Sequence, residues 1–218
     1  MHKLKSSLKK ARHIIETEGL ASFIRRGVTF LRHSIFLQDT YYIYDHILEE
    51  KNEADFLPRL QNFTLVIAHN NQQADELSAQ GYEFRSQDGE DHYRLDKGAI
   101  AFCVFSEGEL AHKGWAALTE EAQKAIVNLP VKIDFSAGES FCGGTLTVPK
   151  FRQRGLMAYG YFEKLQYLRE IGRTRVINCV AEDNIASHRA MAKLHPKLYA
   201  KAHYVKFSGL RFWKEVVC

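Results

Sequence analysis

Within ten residues, Thr147-Val-Pro-Lys-Phe-Arg-Gln-Arg-Gly155-Leu turns one backbone geometry into another. The run Phe141 to Thr147 reads as a strand, and Pro149 ends it because proline lacks the N–H that a sheet ladder needs. Beyond the turn, Leu156, Tyr159, Phe162, Leu165 and Leu168 recur at helical spacing up to a glycine C-cap at Gly172. A strand feeding straight into such a helix calls for a sheet with helices packed on it. The junction also has a chemical property. The first amides of a helix have no partner inside it and carry the positive end of its dipole, and Arg152 and Arg154 add permanent charge. Gly155 lets a ligand approach the backbone closely, so the turn is a candidate phosphate cradle.

The rest of the chain alternates in the same way. Thr64 to Ala68 is a β-branched run suited to a buried strand, and Gln72 to Gln80 reads as a helix stopped by Gly81. Ala99 to Phe105 and Leu110 to Ala117 flank Ser-Glu-Gly-Glu as a hairpin. Thr119 caps a helix running to Val127, which Pro130 closes. Gly143-Gly144, in the middle of a strand, predicts a bulge or the close passage of another backbone. Val176 to Ala181 is apolar on both faces, as in an interior strand, and Asn184 caps a helix running to Leu194 before Pro196. Leu198 to Phe207 and Leu210 to Val217 form a closing hairpin. Trp115 and Trp213 lie in strand-like runs and read as core residues.

Composition narrows the functional classes. The chain of 218 residues can bury a sizeable core unaided, and its 45% hydrophobic and 26% charged residues are those of a soluble globular protein. Cys103, Cys142, Cys179 and Cys218 form no Cys-x-x-Cys pair and read as free thiols in a reducing cytoplasm. The ten histidines show no zinc spacing, so no metal is assigned. Gly-x-Ser-x-Gly, Walker and Gly-x-Gly-x-x-Gly motifs do not occur, which argues against hydrolase, nucleotide-hydrolase and dehydrogenase chemistry. Residues 3 to 33 carry an excess of Lys and Arg with apolar positions at helical spacing. They read as basic amphipathic helices. Two roles stand for them: packing on this chain or a second subunit as in a homodimer, or peripheral contact with the inner face of the membrane. The basic residues are not interleaved with a recognition motif, so nucleic acid is not expected as a partner. Residues 34 to 60 read as a connector.

The turn at 147 to 157 resembles the acyl-CoA-binding motif of the GNAT acyltransferase superfamily, with Thr147, Phe151 and Met157 as conservative replacements of its valine, tyrosine and last small residue. The order of elements over roughly residues 62 to 217 is similar to that of the same family, and Asn184 and Ser187 match its Asn-x-x-Ser segment. The resemblance implies a mixed, mainly antiparallel sheet flanked by helices over residues 61 to 218, with residues 1 to 60 as an N-terminal helical extension and connector. It implies acetyl-CoA, or another acyl-CoA, as co-substrate. Arg152, Gln153, Arg154, Gly155, Leu156 and Met157 would hold the pyrophosphate, Asn184 and Ser187 would lie near the pantetheine, and the strand N–H of Leu146 or Thr147 would polarise the thioester carbonyl.

The implied activity is transfer of an acetyl group to a primary amine, in a small-molecule acceptor, by direct attack. The amine must first lose a proton. Glu139, just before the cofactor strand, is the candidate base, with a solvated turn carboxylate as its ordinary reading. Met191 stands where the family often has a tyrosine that protonates the leaving thiolate, and Tyr199 is the candidate acid in its place, beside an ordinary reading as a strand tyrosine. The missing tyrosine leaves a second class open, a GNAT-like module that binds CoA or a partner without turnover. Residues 1 to 60 and 118 to 138 exceed a minimal domain of this kind and would shape the acceptor pocket or an oligomer contact.

Overall fold

The computed structural model describes residues 36–87, 89–207 and 210–218. The expected basic helices of residues 3 to 33 lie outside them. The strands are β1 (Phe36–Ile47), β2 (Phe63–Ala68), β3 (Ile100–Ser106), β4 (Glu109–Ala117), β5 (Glu139–Thr147), β6 (Arg175–Ala181), β7 (Lys197–Phe207) and β8 (Leu210–Val217). They form one sheet in the order β2-β3-β4-β5-β6-β1-β7-β8. The described helices are α1 (Asn71–Ala79), α2 (Glu90–Asp96), α3 (Glu120–Ile126), α4 (Leu156–Glu170) and α5 (Ile185–Ala192). Pairing is antiparallel between β2 and β3, β3 and β4, β4 and β5, and β1 and β6, and parallel between β5 and β6. This is the mixed, mainly antiparallel sheet expected. Among the described residues, no helix is long and apolar enough to cross a membrane.

The described residues divide into two compact units, one built of residues within 41–201 together with 216–218 and the other of residues 36–40, 202–207 and 210–215. The larger unit has two cores. In one, Phe102, Val104 and Cys142 pack with Leu156, Phe162, Leu165 and Leu168 of α4. In the other, Cys103, Phe105, Trp115 and Phe141 pack with Ala74 of α1, Leu95 of α2, and Ala122 and Ile126 of α3. Along β3, Ile100, Phe102 and Val104 face one core and Ala101, Cys103 and Phe105 the other, as the period of two requires. In the smaller unit, Tyr204 meets half-buried Trp213 edge-on at 6.1 Å, and the indole donates to Glu215 at 2.6 Å.

Local signals place most elements. Asn70 caps α1 through Gln73 N, and Thr119 caps α3 through Ala122 N. Gly81 and Gly172 end α1 and α4 in left-handed conformations. The helix after Asn184 ends at Ala192, two residues before the expected Leu194, which is itself buried. Two departures are larger. Residues 36–47, read as connector, form β1, which pairs with β6 from Tyr41↔Ala181 to Ile47↔Arg175. The helix α2 has no apolar stripe and stands on a polar network instead. Buried Asp91 accepts from Ser86 N at 2.7 Å, pairs with Arg94 at 3.1 Å and pairs closely with Lys113 of β4. Burial pushes the Asp91 carboxyl up, but the Lys113 ammonium and the Ser86 amide outweigh it and hold the group below its ordinary value.

Removing one partner of a buried ion pair leaves the other charge uncompensated, at a cost of about 3–5 kcal/mol. Asp91→Ala should lower unfolding free energy by about that amount, read from urea titration, while Asp91→Leu combined with Lys113→Met should cost much less. Equal losses in both variants would contradict a role for the pair in holding α2.

Candidate functional site

The geometry of interest starts where two strands separate. Pairing between β5 and β6 runs from Glu139↔Arg175 to Phe141↔Ile177, but β5 continues to Thr147 and β6 to Ala181. The β6-facing edge of residues 142–147 is thereby released from the ladder. The cause lies on the other side of β5. Its register with β4 slips between Lys113 and Trp115, and Gly144 adopts φ +58°. A Cβ on Gly144 would come within 2.9 Å of Trp115 Cδ1, and one on Gly143 within 2.8 Å of Phe141 Cε1. The two glycines form the expected bulge, and a bulge bends and twists its strand.

At the end of β5, Pro149–Phe151 form a 3-10 turn, and Gln153 and Gly155 take φ +64° and +85° before α4 begins. Among the described residues, no side chain caps the first turn of α4. Arg152, Gln153 and Arg154 are exposed, Gly155 and Met157 are half-buried, and Leu156 is buried in the core beneath. Arg152 Nε donates to the Thr147 carbonyl at 3.3 Å, which ties the guanidinium to the end of the strand. Arg154 lies over the Phe151 ring at 5.8 Å, and its carbonyl accepts from Arg59 N at 2.8 Å. Uncapped amides flanked by exposed arginines and a left-handed glycine suit an anion, and the open edge of β5 suits an amide-bearing chain.

The candidate residues fall into two groups. Leu146, Thr147 and residues 152–157 are contiguous at the open end of β5. Asn184, the cap of α5, follows β6, and its Oδ1 accepts from Ser187 N at 3.2 Å. The helix is anchored by His188. Its Nε2 lies 2.9 Å from the Ala181 carbonyl and must donate, so Nδ1, 2.8 Å from the Tyr44 hydroxyl, accepts. Glu139 and Tyr199 instead gather around Arg175, where β5 and β6 are still paired. Glu139 Oε1 accepts from Arg175 Nη1 at 2.7 Å and Oε2 from Asp134 N at 2.8 Å. The Arg175 guanidinium lies over the Tyr199 ring at 4.9 Å. Met191 is buried, with its sulfur 3.7 Å from Asn178 Nδ2.

Beneath the parting strands lies a polar cluster that no motif announces. His46 Nε2 donates to Asn178 Oδ1 at 2.8 Å, and the His46 ring stacks on Tyr161 of α4. His112 is buried with Nδ1 2.8 Å from Thr147 Oγ1, and its ring occupies the space a side chain at Gly160 would need. Lys164 is fully buried, and its Nζ has no hydrogen-bond partner among the described residues. Burial, with the charge of Lys164 adding, lowers His112 to about 3. Burial lowers His46 to about 4 despite its bond to Asn178. The available signal was indirect: polar residues set close to glycines inside apolar elements.

No family model matches the sequence, and no curated protein does. Solved structures do. A tandem GNAT protein from the clavulanic acid biosynthesis pathway superposes with TM-score 0.50 at 16% identity, over 81% of this chain and 53% of that one. A GNAT-family acetyltransferase from Colwellia psychrerythraea gives 0.49 at 15% identity, over 85% and 61%. A conserved protein of unknown function from Staphylococcus epidermidis gives 0.49 at 13% identity, over 83% and 66%. The chain thus spans between about half and two thirds of the length of these structures. Such identities speak of fold alone, and the fold is GNAT-like.

His46 and His112 have folded values below the ordinary 6.5, so the unfolded chain takes up their protons first as pH falls. Stability from these groups is complete above pH 6.5 and declines toward the folded values, by about 1.4 kcal/mol per pH unit for each histidine. Unfolding free energy should drop by about 4 kcal/mol between pH 7 and pH 5, and His112→Gln should flatten part of that slope. A level profile in the unsubstituted protein would contradict buried neutral histidines.

Proposed function

We propose that the protein is an acyl-CoA-dependent N-acyltransferase that uses acetyl-CoA or another acyl-CoA as co-substrate and a primary amine of a small molecule as acceptor. The observation that carries this reading is the release of β5 from β6 after Phe141↔Ile177, with the freed edge leading directly into the uncapped, arginine-flanked start of α4. A phosphate-bearing head and a peptide-like arm in one ligand match these two features placed end to end. The amides of residues 155–157 would receive the pyrophosphate, with Arg152 and Arg154 beside it. The edge of residues 142–147 would pair with the amides of the pantetheine arm, and a strand N–H at Leu146 or Thr147 would meet the thioester carbonyl. Asn184 and Ser187 would border the arm from the other side.

Direct attack needs no covalent intermediate on the protein. The cleft holds the carbonyl beside a neutral amine, and fixed amide dipoles stabilise the oxyanion of the tetrahedral adduct. Both carboxylate oxygens of Glu139 are engaged with Arg175 and Asp134, which suits a structural role better than that of a base. The buried thioether of Met191 supports a second reading, a module that binds CoA without turning it over.

Calorimetric titration of the purified protein with acetyl-CoA, against desulfo-CoA and ATP, tests the assignment. Arg152→Glu should raise the acetyl-CoA dissociation constant about 10- to 100-fold, the equivalent of about 1.5–3 kcal/mol for a charge-assisted contact. Unchanged affinity in the variant, or ATP binding as tight as acetyl-CoA, would remove the turn from the cofactor site.

A further inference from the structure

We propose that the tip of the β7–β8 hairpin docks on an anionic lipid bilayer, with Phe207, Leu210 and Phe212 entering the membrane interface and Lys206, Arg211 and Lys214 meeting the head groups. This goes beyond the acyl-CoA reading and does not rest on it. β7 and β8 are neighbours at one end of the sheet, and Ser208 and Gly209 separate Phe207 from Leu210. A two-residue connection sets those two residues opposite each other. The edge-on contact of Tyr204 with Trp213 keeps the same register three residues further from the tip on each strand. Val205 then stands opposite Phe212, and His203 opposite Lys214.

Side chains alternate along each strand, so the pair has two faces. On one, Ala202 and Tyr204 are buried and Trp213 is half-buried. The other face carries Phe207, Leu210 and Phe212, which are 51%, 61% and 58% exposed, together with half-buried Val205. Single exposed apolar residues are ordinary on a protein surface. Here two phenylalanines, a leucine and a valine occupy adjoining positions on one face at the tip of a hairpin, and a cluster of that kind marks an interaction surface.

Charge identifies what covers it. Residues 202–215 hold Lys206, Arg211 and Lys214 against a single carboxylate, Glu215, whose Oε1 accepts from Trp213 Nε1. Lys206 and Arg211 flank the tip, and exposed Lys214 follows Phe212 on the open face, further from the turn. A second copy of the chain fits poorly, because a two-fold contact through this patch sets like charges against like. The chain's own residues 3–33 share the positive sign, with eight Lys and Arg against two Glu. An anionic bilayer is complementary on both counts, with negative head groups above hydrocarbon. The order along the hairpin matches that layering, apolar at the tip and cationic behind it. Side chains alone need to enter, so the peptide groups of the turn stay at the hydrated head-group level, where their hydrogen bonds are satisfied.

The test is co-sedimentation of the full chain with vesicles of equal parts phosphatidylglycerol and phosphatidylcholine, beside vesicles of phosphatidylcholine alone. Binding is expected on the anionic vesicles, weakening as salt rises because the attraction to the head groups is screened. Lys206→Gln and Lys214→Gln should each lower the partition coefficient about 5-fold. Phe207→Ser combined with Phe212→Ser should lower it about 100-fold while leaving the urea unfolding midpoint in place, since both rings are exposed. Phe212→Trp supplies a reporter at the site, whose emission should shift to the blue on vesicles and be quenched by brominated lipid. Equal binding by the unsubstituted and doubly substituted proteins would put membrane contact elsewhere in the chain and overturn the proposal. So would an added Phe212→Trp emission that vesicles leave unchanged, or no binding to anionic vesicles at all. A solution dimer that the double substitution dissociates would assign the patch to a second copy and overturn it as well.

Discussion

The Trp115 indole presses on a stretch of β5 that has no side chains to resist it. Gly144 lies under the ring, Gly143 lies against Phe141, and Gly114 is the unpaired residue across the slip in β4. Because the backbone is bare at these points, β5 can bulge, and a bulged strand cannot keep step with two neighbours at once. It stays with β4 up to His112↔Thr147 and leaves β6 after Phe141↔Ile177. The open edge, the turn that delivers Arg152 and Arg154, and the polar floor beneath all follow from that choice. Side chains at Gly143 or Gly144 would have to displace aromatic rings of a packed core, so the cleft is fixed by packing rather than by loop conformation.

Rigidity on one side is matched by an unusual interior on the other. The α4 face of the sheet carries His46, His112, Tyr161, Lys164 and Asn178 among apolar residues. Buried polar groups without partners are costly, and several atoms here have none among the described residues: His46 Nδ1, His112 Nε2 and Lys164 Nζ. A core selected for stability alone would replace them with aliphatic residues. Their position under the parting strands gives a reason to keep them if acyl transfer takes place there as proposed, because that reaction would create and cancel charge at that place. Groups held neutral by burial beside Lys164, whose ammonium burial lowers to about 8, would form an environment whose dipoles need little rearrangement during such a reaction.

Much of this architecture is readable in the sequence, and the exceptions have physical causes. The strand–turn–helix at 141–172, the hairpin of β3 and β4, and the caps at Asn184 and Thr119 are written in short-range signals: periodicity, glycine, proline and side chains that bond their own backbone. The helix α2 is not, because Asp91, Lys113 and Arg94 hold it through contacts that include residues far apart in sequence. β1 reads as a connector because its polar and aromatic residues, Tyr44, His46 and Asp45, obscure alternation; their partners lie on β6, α5 and α4. Resemblance puts Glu139 and Tyr199 near the chemistry, whereas a single guanidinium, Arg175, gathers both at the closed end of β5. Tyr161 stands four and seven residues before Leu165 and Leu168 and shares their face, and Lys164, four residues before Leu168, borders it. A lysine there is expected to reach water, but both side chains are buried, and Gly114 makes room for the lysine.

The central claim is that the freed edge of β5 and the first turn of α4 receive one ligand. Hydrogen exchange of the backbone amides with and without acetyl-CoA, followed by mass spectrometry at peptide resolution, tests it most directly. A shared site predicts slowed exchange in peptides covering residues 142–147 and 153–158 together, with little change in α2 or in the paired residues 139–141. Protection confined to the helix start would reduce the site to an anion-binding turn, and protection in neither segment would contradict the claim outright.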